Sequence, residues 1–230
     1  MRFASILAVT LLAAAPVARA QQVVEIRVIQ LDPGFLCPAP GLPAMSPDGH
    51  RIALVRCWSD LSDARDVELE ILAVPSGRVQ QRIPLLHAGT GGAHPTPEAT
   101  VARNVERANH ALAAGRFEPL QELASPDVPL ADTSGAGITV RYVIEGHVVV
   151  VEGVATAHAD VAGWPARGAC CAAEEGSPAS CSLTPVIRGA WVDPAAHFLL
   201  VGLATDSVPH GCEHGPEYKV IALRHPNDRH

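Results

Sequence analysis

Apolar and polar positions alternate in short runs along most of this chain, and one stretch changes to helical spacing. Residues 23–29 alternate valine and isoleucine with Glu25 and Arg27, which predicts a strand with one wet face. Further strands are predicted at 51–57, 67–74 and 79–85, with an acidic loop at 59–66 between the first two. From Thr96 the period changes, and Val101, Val105, Ala108 and Leu112 share one helical face. Thr96 suits the N-cap, Pro97 the first helical position, Glu98 the positive end of the dipole and Gly115 the C-terminal stop. Phe117, Leu120 and Leu123 give the following segment its apolar contacts. Residues 138–144 and 148–154 flank Glu145-Gly146-His147 and predict a hairpin, and the β-branched run Val148 to Val151 fits a central strand covered on both faces. Strands at 186–192, 198–203 and 218–223 complete the pattern.

The segment Ala44-Met45-Ser46-Pro47-Asp48-Gly49-His50-Arg51, followed by apolar strands to Val79, contains a tight turn whose residues explain themselves. Proline presets the first φ, Asp48 caps through its side chain, and Gly49 takes the positive φ that other residues resist. The stretch around Val192-Asp193-Pro194-Ala195-Ala196-His197-Phe198 echoes it without the serine and the glycine. Residues 44–79 resemble a blade repeat of the TolB-type β-propeller. That resemblance implies blade-like sheets, although two echoes fall short of the four or so blades of roughly 40 residues that a closed propeller needs. The expected fold is mainly β, or α+β in the wider sense: two blade-like antiparallel sheets with one central helix, stabilised by disulfides. After a signal peptide at 1–20, a single β-rich domain at 21–230 is expected to divide into a first blade-like unit at 21–95, a helical segment at 96–124 and a second β unit at 137–230. The last contains a Cys-rich loop at 167–185.

The signal-peptide reading rests on Arg2, the apolar stretch 3–17 and the small-x-small site Ala18-Arg19-Ala20. It predicts an exported bacterial protein, periplasmic or secreted, beginning at Gln21. The formal net charge of -7 comes without a Lys/Arg cluster, which excludes the positive footprint that nucleic acid or an anionic membrane surface demands. No apolar run after the signal approaches the ~18–20 residues of a membrane span, so no membrane insertion is expected after cleavage. In an exported chain the even set Cys37, Cys57, Cys170, Cys171, Cys181 and Cys212 reads as disulfides, each worth about 2–4 kcal/mol. The internal echo pairs Cys37 with Cys57 and leaves the rest open: Cys181 with Cys212 by analogy, or Cys170 or Cys171 with Cys181 across a short loop.

Candidate chemistry is sparse. His210, Cys212, Glu213 and His214 are all metal-ligating types within one loop, and His210, Glu213 and His214 form the candidate metal set; a plain disulfide-bearing loop is the competing reading. Asp60, Asp63 and Asp66 recur in the acidic loop without the order that wraps a calcium ion. Gly89-Thr90-Gly91-Gly92 breaks the dinucleotide-binding pattern at His94. No G-x-S-x-G elbow, H-E-x-x-H helix or Gly-Lys-Ser/Thr loop occurs, and Ser46, Asp48 and His50 share one tight turn, too close together to act as a triad. An aromatic content of 4% argues against stacking platforms, so Trp58, Trp164 and Trp191 are expected in packing roles. The sequence therefore predicts no cofactor and no catalytic residue. Its functional expectation is an exported, non-enzymatic interaction or binding scaffold with an unidentified protein partner. The alternative is a metal-binding protein or small metal-dependent hydrolase using the 210–214 loop.

Overall fold

The computed structural model describes residues 24–26, 39–59, 65–87, 94–124, 132–143, 148–161, 185–195, 197–205 and 217–226. Within them, apolar residues at alternating positions form antiparallel ladders. The chain runs β1 (Ala44–Met45), β2 (Arg51–Ser59), β3 (Arg65–Ala73), β4 (Val79–Leu86), α1 (Glu98–Gly115), β5 (Glu118–Pro119) and β6 (Gln121–Ala124). It continues through β7 (Asp132–Gly135), β8 (Ile138–Val143), β9 (Val148–Gly153), β10 (Ala157–Asp160), β11 (Pro185–Val192), β12 (Phe198–Thr205) and β13 (Glu217–Ala222). Three sheets result, ordered β4-β3-β2-β1-β5, β13-β12-β11-β6 and β10-β9-β8-β7.

The sheets are stacked because their central strands are apolar on both faces. On β2, Ala53, Val55 and Cys57 face Ala108 and Leu112 of α1, whereas Ile52 and Leu54 face Trp191 and Leu200 of the second sheet. On β12, Leu199, Val201 and Leu203 face Val140, Val149 and Val151 of the third sheet. The order of layers is thus helix, first sheet, second sheet, third sheet, with an apolar core at each junction. Full burial of a side chain such as Leu112 or Leu199 contributes roughly 1.5–3 kcal/mol.

Residues 117–124 contribute to all three cores and so tie the four layers together. Phe117 enters the core beneath α1, Leu120 the core between the first two sheets, and Leu123 packs on the core between the second and third. The same few residues pair with β1 as β5 and with β11 as β6, so one stretch of backbone passes from the edge of one sheet to the edge of the next.

Several expectations need correction. There are three sheets where two blade-like ones were expected. The hairpin β8–β9 pairs with β7 and β10 and does not join β11, β12 and β13 in one sheet: Ile138, Val140, Tyr142, Val149 and Val151 give it one apolar face that packs on the second sheet, while Thr139, Arg141 and Glu152 stay exposed. The TolB-type propeller is also overturned. The sheets are open and stacked, and α1 covers the outer face of the first sheet where closure would require another blade. The expected disulfide framework is not what joins the described layers: among the described residues they meet through apolar contacts, and no disulfide joins two described residues. Cys57, buried beneath α1, is itself disulfide-bonded, and Cys37, Cys170, Cys171, Cys181 and Cys212 lie outside the described residues.

The first predicted strand is no strand at its described residues, 24–26. Val24 and Ile26 are buried, but the side-chain amide of Asn109 on α1 takes the place of a neighbouring strand: the Ile26 N–H donates to Asn109 Oδ1 at 2.7 Å, and Asn109 Nδ2 donates to the Ile26 carbonyl at 2.8 Å. The helix also begins differently. Pro97 is the N-cap and no side chain caps it. Thr96 is diverted to His87 at the exit of β4, giving its N–H to the His87 carbonyl at 2.8 Å and accepting the His87 N–H on Oγ1 at 2.9 Å. Among the described residues no helix is long and apolar enough to cross a membrane.

Candidate functional site

The face of the first sheet that meets the second is divided. Ile52, Leu54 and Leu72 form its apolar half, against Trp191, Leu200 and Leu120. In the adjoining half the same alternation delivers Arg56 from β2, Glu68 and Glu70 from β3, and Arg82 from β4, with Arg56 opposite Glu68 and Glu70 opposite Arg82 in the ladder. Glu70 is buried, with 3% of its side chain exposed. Its Oε1 accepts the Arg82 Nε–H at 3.0 Å and lies 3.6 Å from Arg56 Nη1. Arg82 Nε is also 3.7 Å from Glu68 Oε1.

Two carboxyls on one face of one strand perturb each other. Burial raises the Glu68 carboxyl above its ordinary value; a hydrogen bond with Glu70 and the charge of Glu70 add to the rise, and Arg82 and Arg56 oppose it. From the second sheet Tyr218 faces this group, its ring tilted at 43° to Trp191 with centroids 6.3 Å apart. Burial pushes its phenol far above the ordinary range, so Tyr218 is a neutral neighbour at physiological pH. The result is a cluster of alternating charges at the rim between two stacked sheets, with Arg82 57% exposed and Glu70 closed off behind it.

A second group adjoins the first at the start of β3, where Asp66 stands two residues before Glu68. His87 Nδ1 is 2.6 Å from Asp66 Oδ1, and Thr96 holds the His87 backbone through both of its hydrogen-bonding groups. A carboxylate at Nδ1 fixes the orientation and tautomer of the imidazole, the arrangement found behind general bases and metal-ligating histidines alike. Among the described residues, however, no group of three or more His, Cys, Asp or Glu side chains is placed to hold a metal ion.

The residues singled out from the sequence are distributed otherwise. Ser46, Pro47, Asp48 and Gly49 link β1 to β2. The Ser46 hydroxyl donates to Asp48 Oδ1 at 2.5 Å and accepts the Arg51 N–H at 3.0 Å, the His50 N–H donates to Asp48 Oδ1 at 3.0 Å, and Gly49 has φ +71°. The Ser46 hydroxyl, helped by the His50 N–H, holds the Asp48 carboxyl below its ordinary value. The Ser46 hydroxyl and the Asp48 carboxylate are thus engaged in shaping the turn. Trp191 is a buried core residue. The candidate metal set His210, Glu213 and His214 lies outside the described residues, as do Asp60, Asp63 and residues 89–92. Sequence reasoning missed the Glu68–Glu70 cluster because Val-Glu-Leu-Glu-Ile reads as an ordinary half-wet strand. The available signal was Arg56, Glu68, Glu70 and Arg82 lying at same-face positions of three successive strands. Compared with protein-family models, curated proteins and solved structures, the chain matches none, and so no relative supports the TolB-type repeat.

Proposed function

We propose that this chain is an exported, non-enzymatic β-rich protein that serves as a rigid interaction or binding scaffold in the periplasm or outside the cell. The observation that carries the reading is the interlocking of its layers: residues 117–124 contribute to three cores in turn and pair with two sheets. Such a body presents outer surfaces whose geometry is set before any partner arrives, which lowers the ordering cost of association. Export is supported by the segment Arg2 to Ala20, and the acidic composition without a Lys/Arg cluster disfavours nucleic acid and anionic membrane surfaces as partners.

The test uses a photo-crosslinking residue placed, in turn, at Gln81 on β4, Ala102 on α1 and Thr139 on β8, which are exposed on three different outer surfaces. A mature protein starting at Gln21 in the exported fraction, with a discrete protein adduct at one position and none at the others, is the expected result. Retention in the cytoplasm overturns export. Turnover of a substrate that disappears in His87→Ala or Asp66→Asn overturns the non-enzymatic reading.

A further inference from the structure

Two guanidiniums end on one buried oxygen. Arg82 reaches Glu70 Oε1 through Nε, leaving both of its Nη groups uncommitted to Glu70; Arg56 reaches it through Nη1, leaving Nε and the second Nη. The two side chains are 57% and 30% exposed, and the carboxylate behind them is 3% exposed, so their remaining donors are open to solvent while their anchor is not. A guanidinium is more weakly hydrated than an ammonium and grips an oxyanion through paired N–H groups. Fixing two such long side chains in the fold removes much of the entropy cost that binding would otherwise meet. Because Arg56 and Arg82 approach Glu70 from strands on opposite sides of β3, a tetrahedral oxyanion has oxygens enough for both, whereas a planar carboxylate matches a single fork.

We propose that Arg56 and Arg82, anchored by Glu70, form a binding site for a tetrahedral oxyanion, a sulfate or phosphate group, at the rim between the first and second sheets. The site goes beyond the scaffold reading and does not depend on it. Among the described residues, the charged or titratable groups gathered there are Arg56 from β2, Glu68 and Glu70 from β3, Arg82 from β4 and Tyr218 from β13, with the paired Asp66 and His87 adjoining them two residues before Glu68. With Glu68 ionised the two acids balance the two guanidiniums; with Glu68 protonated one positive charge is left over. Acid therefore favours the anion, and burial of Glu68 moves that protonation toward neutral pH.

The test is titration calorimetry of the full chain with sodium sulfate against sodium chloride at matched ionic strength, at pH 5 and pH 7.5. Sulfate stays a dianion across that interval, so any pH effect belongs to the protein. One sulfate is expected to bind, more tightly at pH 5, with affinity falling about tenfold or more in Arg82→Gln or Arg56→Gln, since each removes one charge-assisted donor set. At pH 7.5 Glu68→Gln should bind sulfate more tightly than the unaltered protein, and the pH dependence of binding should shrink. Arg82→Gln takes one partner from the buried Glu70 carboxylate and is expected to unfold at a lower urea concentration; urea unfolding and the far-UV spectrum of each variant under the titration conditions show that it is still folded, which separates lost binding from lost folding. Methyl phosphate beside inorganic phosphate distinguishes an esterified from a free ion as the natural source, and binding of either supports the site. No saturable heat with sulfate or phosphate, or an affinity in both arginine variants equal to that of the unaltered protein, overturns the proposal.

Discussion

Ser46 and Asp193 occupy equivalent positions in two turns that belong to different sheets. Each gives its N–H to the carbonyl of the residue five positions on, Arg51 at 2.9 Å and Phe198 at 3.2 Å. Each takes that residue's N–H on its own side-chain oxygen, at 3.0 Å and 2.6 Å. Both are buried, both are followed by proline, and a histidine stands fourth after each. Where the first turn recruits Asp48 as an extra acceptor, the second uses the other oxygen of Asp193, which accepts the Ala195 N–H at 3.2 Å. The echo between the two stretches is therefore a shared hairpin closure, reached with serine in one sheet and aspartate in the other.

The equivalence predicts a ranking. Asp193→Ala strands two backbone donors and removes a charge-assisted bond, at a cost of about 2–3 kcal/mol, whereas Ser46→Ala costs about 1–2 kcal/mol. Asp193→Ser should recover part of the loss, because a hydroxyl already performs the same closure at residue 46. Urea unfolding of the three variants beside the parent protein checks the order.

Glu68 predicts a stability that depends on pH in the direction opposite to a salt-bridged acid. Its folded-state carboxyl is raised, so the folded chain binds that proton more readily than the unfolded chain. The resulting stabilisation is complete below the ordinary value of 4.5 and is lost as pH rises through the folded value. Glu68→Gln keeps a neutral side chain at every pH. The variant should melt above the parent protein at pH 7.5, and the gap should close near pH 4. Asp48, whose carboxyl is held low, works in the other direction, but it is present in both proteins and drops out of the comparison. A gap that is constant with pH would remove Glu68 as the cause.

Strand positions were legible where alternation and a turn signal coincided. Residues 51–57, 79–85 and 198–203 fall inside β2, β4 and β12, and Val105, Ala108 and Leu112 do line the inner face of α1. Short strands such as β1, β5 and β10 were not legible, because two to four residues carry too little period to register and are held by their neighbours. The count of sheets was hidden for a different reason. Alternation fixes which face of β8 and β9 is apolar but not whether that face is covered by a helix, a sheet edge or another sheet. The charged cluster was hidden by the same ambiguity: Glu68 and Glu70 look like a wet face until the second sheet covers them.

Asn109 is the residue on which the segment 24–26 depends. It satisfies the N–H and the carbonyl of Ile26 together, and helical propensity gives no reason for asparagine there. Asn109→Ala should improve the intrinsic propensity of α1 and still lower stability by about 1–3 kcal/mol through two unmet backbone groups. Hydrogen exchange at the Ile26 amide should accelerate ahead of the sheet amides, since the damage is confined to the contact between this segment and the helix. Unchanged exchange at Ile26 would contradict the assignment.

The end of α1 offers a stabilising change. Gly115 is the expected stop signal, yet the residue in the left-handed conformation is Arg116, at φ 48° and ψ 43°. Gly115 is required for space instead: a Cβ there would collide with the ring of Phe117, which is buried in the core beneath the helix. Two neighbouring positions thus want glycine for unrelated reasons, and the chain supplies it at only one. A left-handed residue with a side chain costs roughly 1–2 kcal/mol, partly offset because glycine also loosens the unfolded chain. Arg116→Gly is therefore expected to raise stability by about 0.5–1 kcal/mol. Gly115→Ala should lower it by about 1–3 kcal/mol through displacement of the Phe117 ring. Thermal and urea unfolding of the two variants give the signs directly, and a destabilised Arg116→Gly would mean that the arginine side chain contributes more than its backbone strain removes.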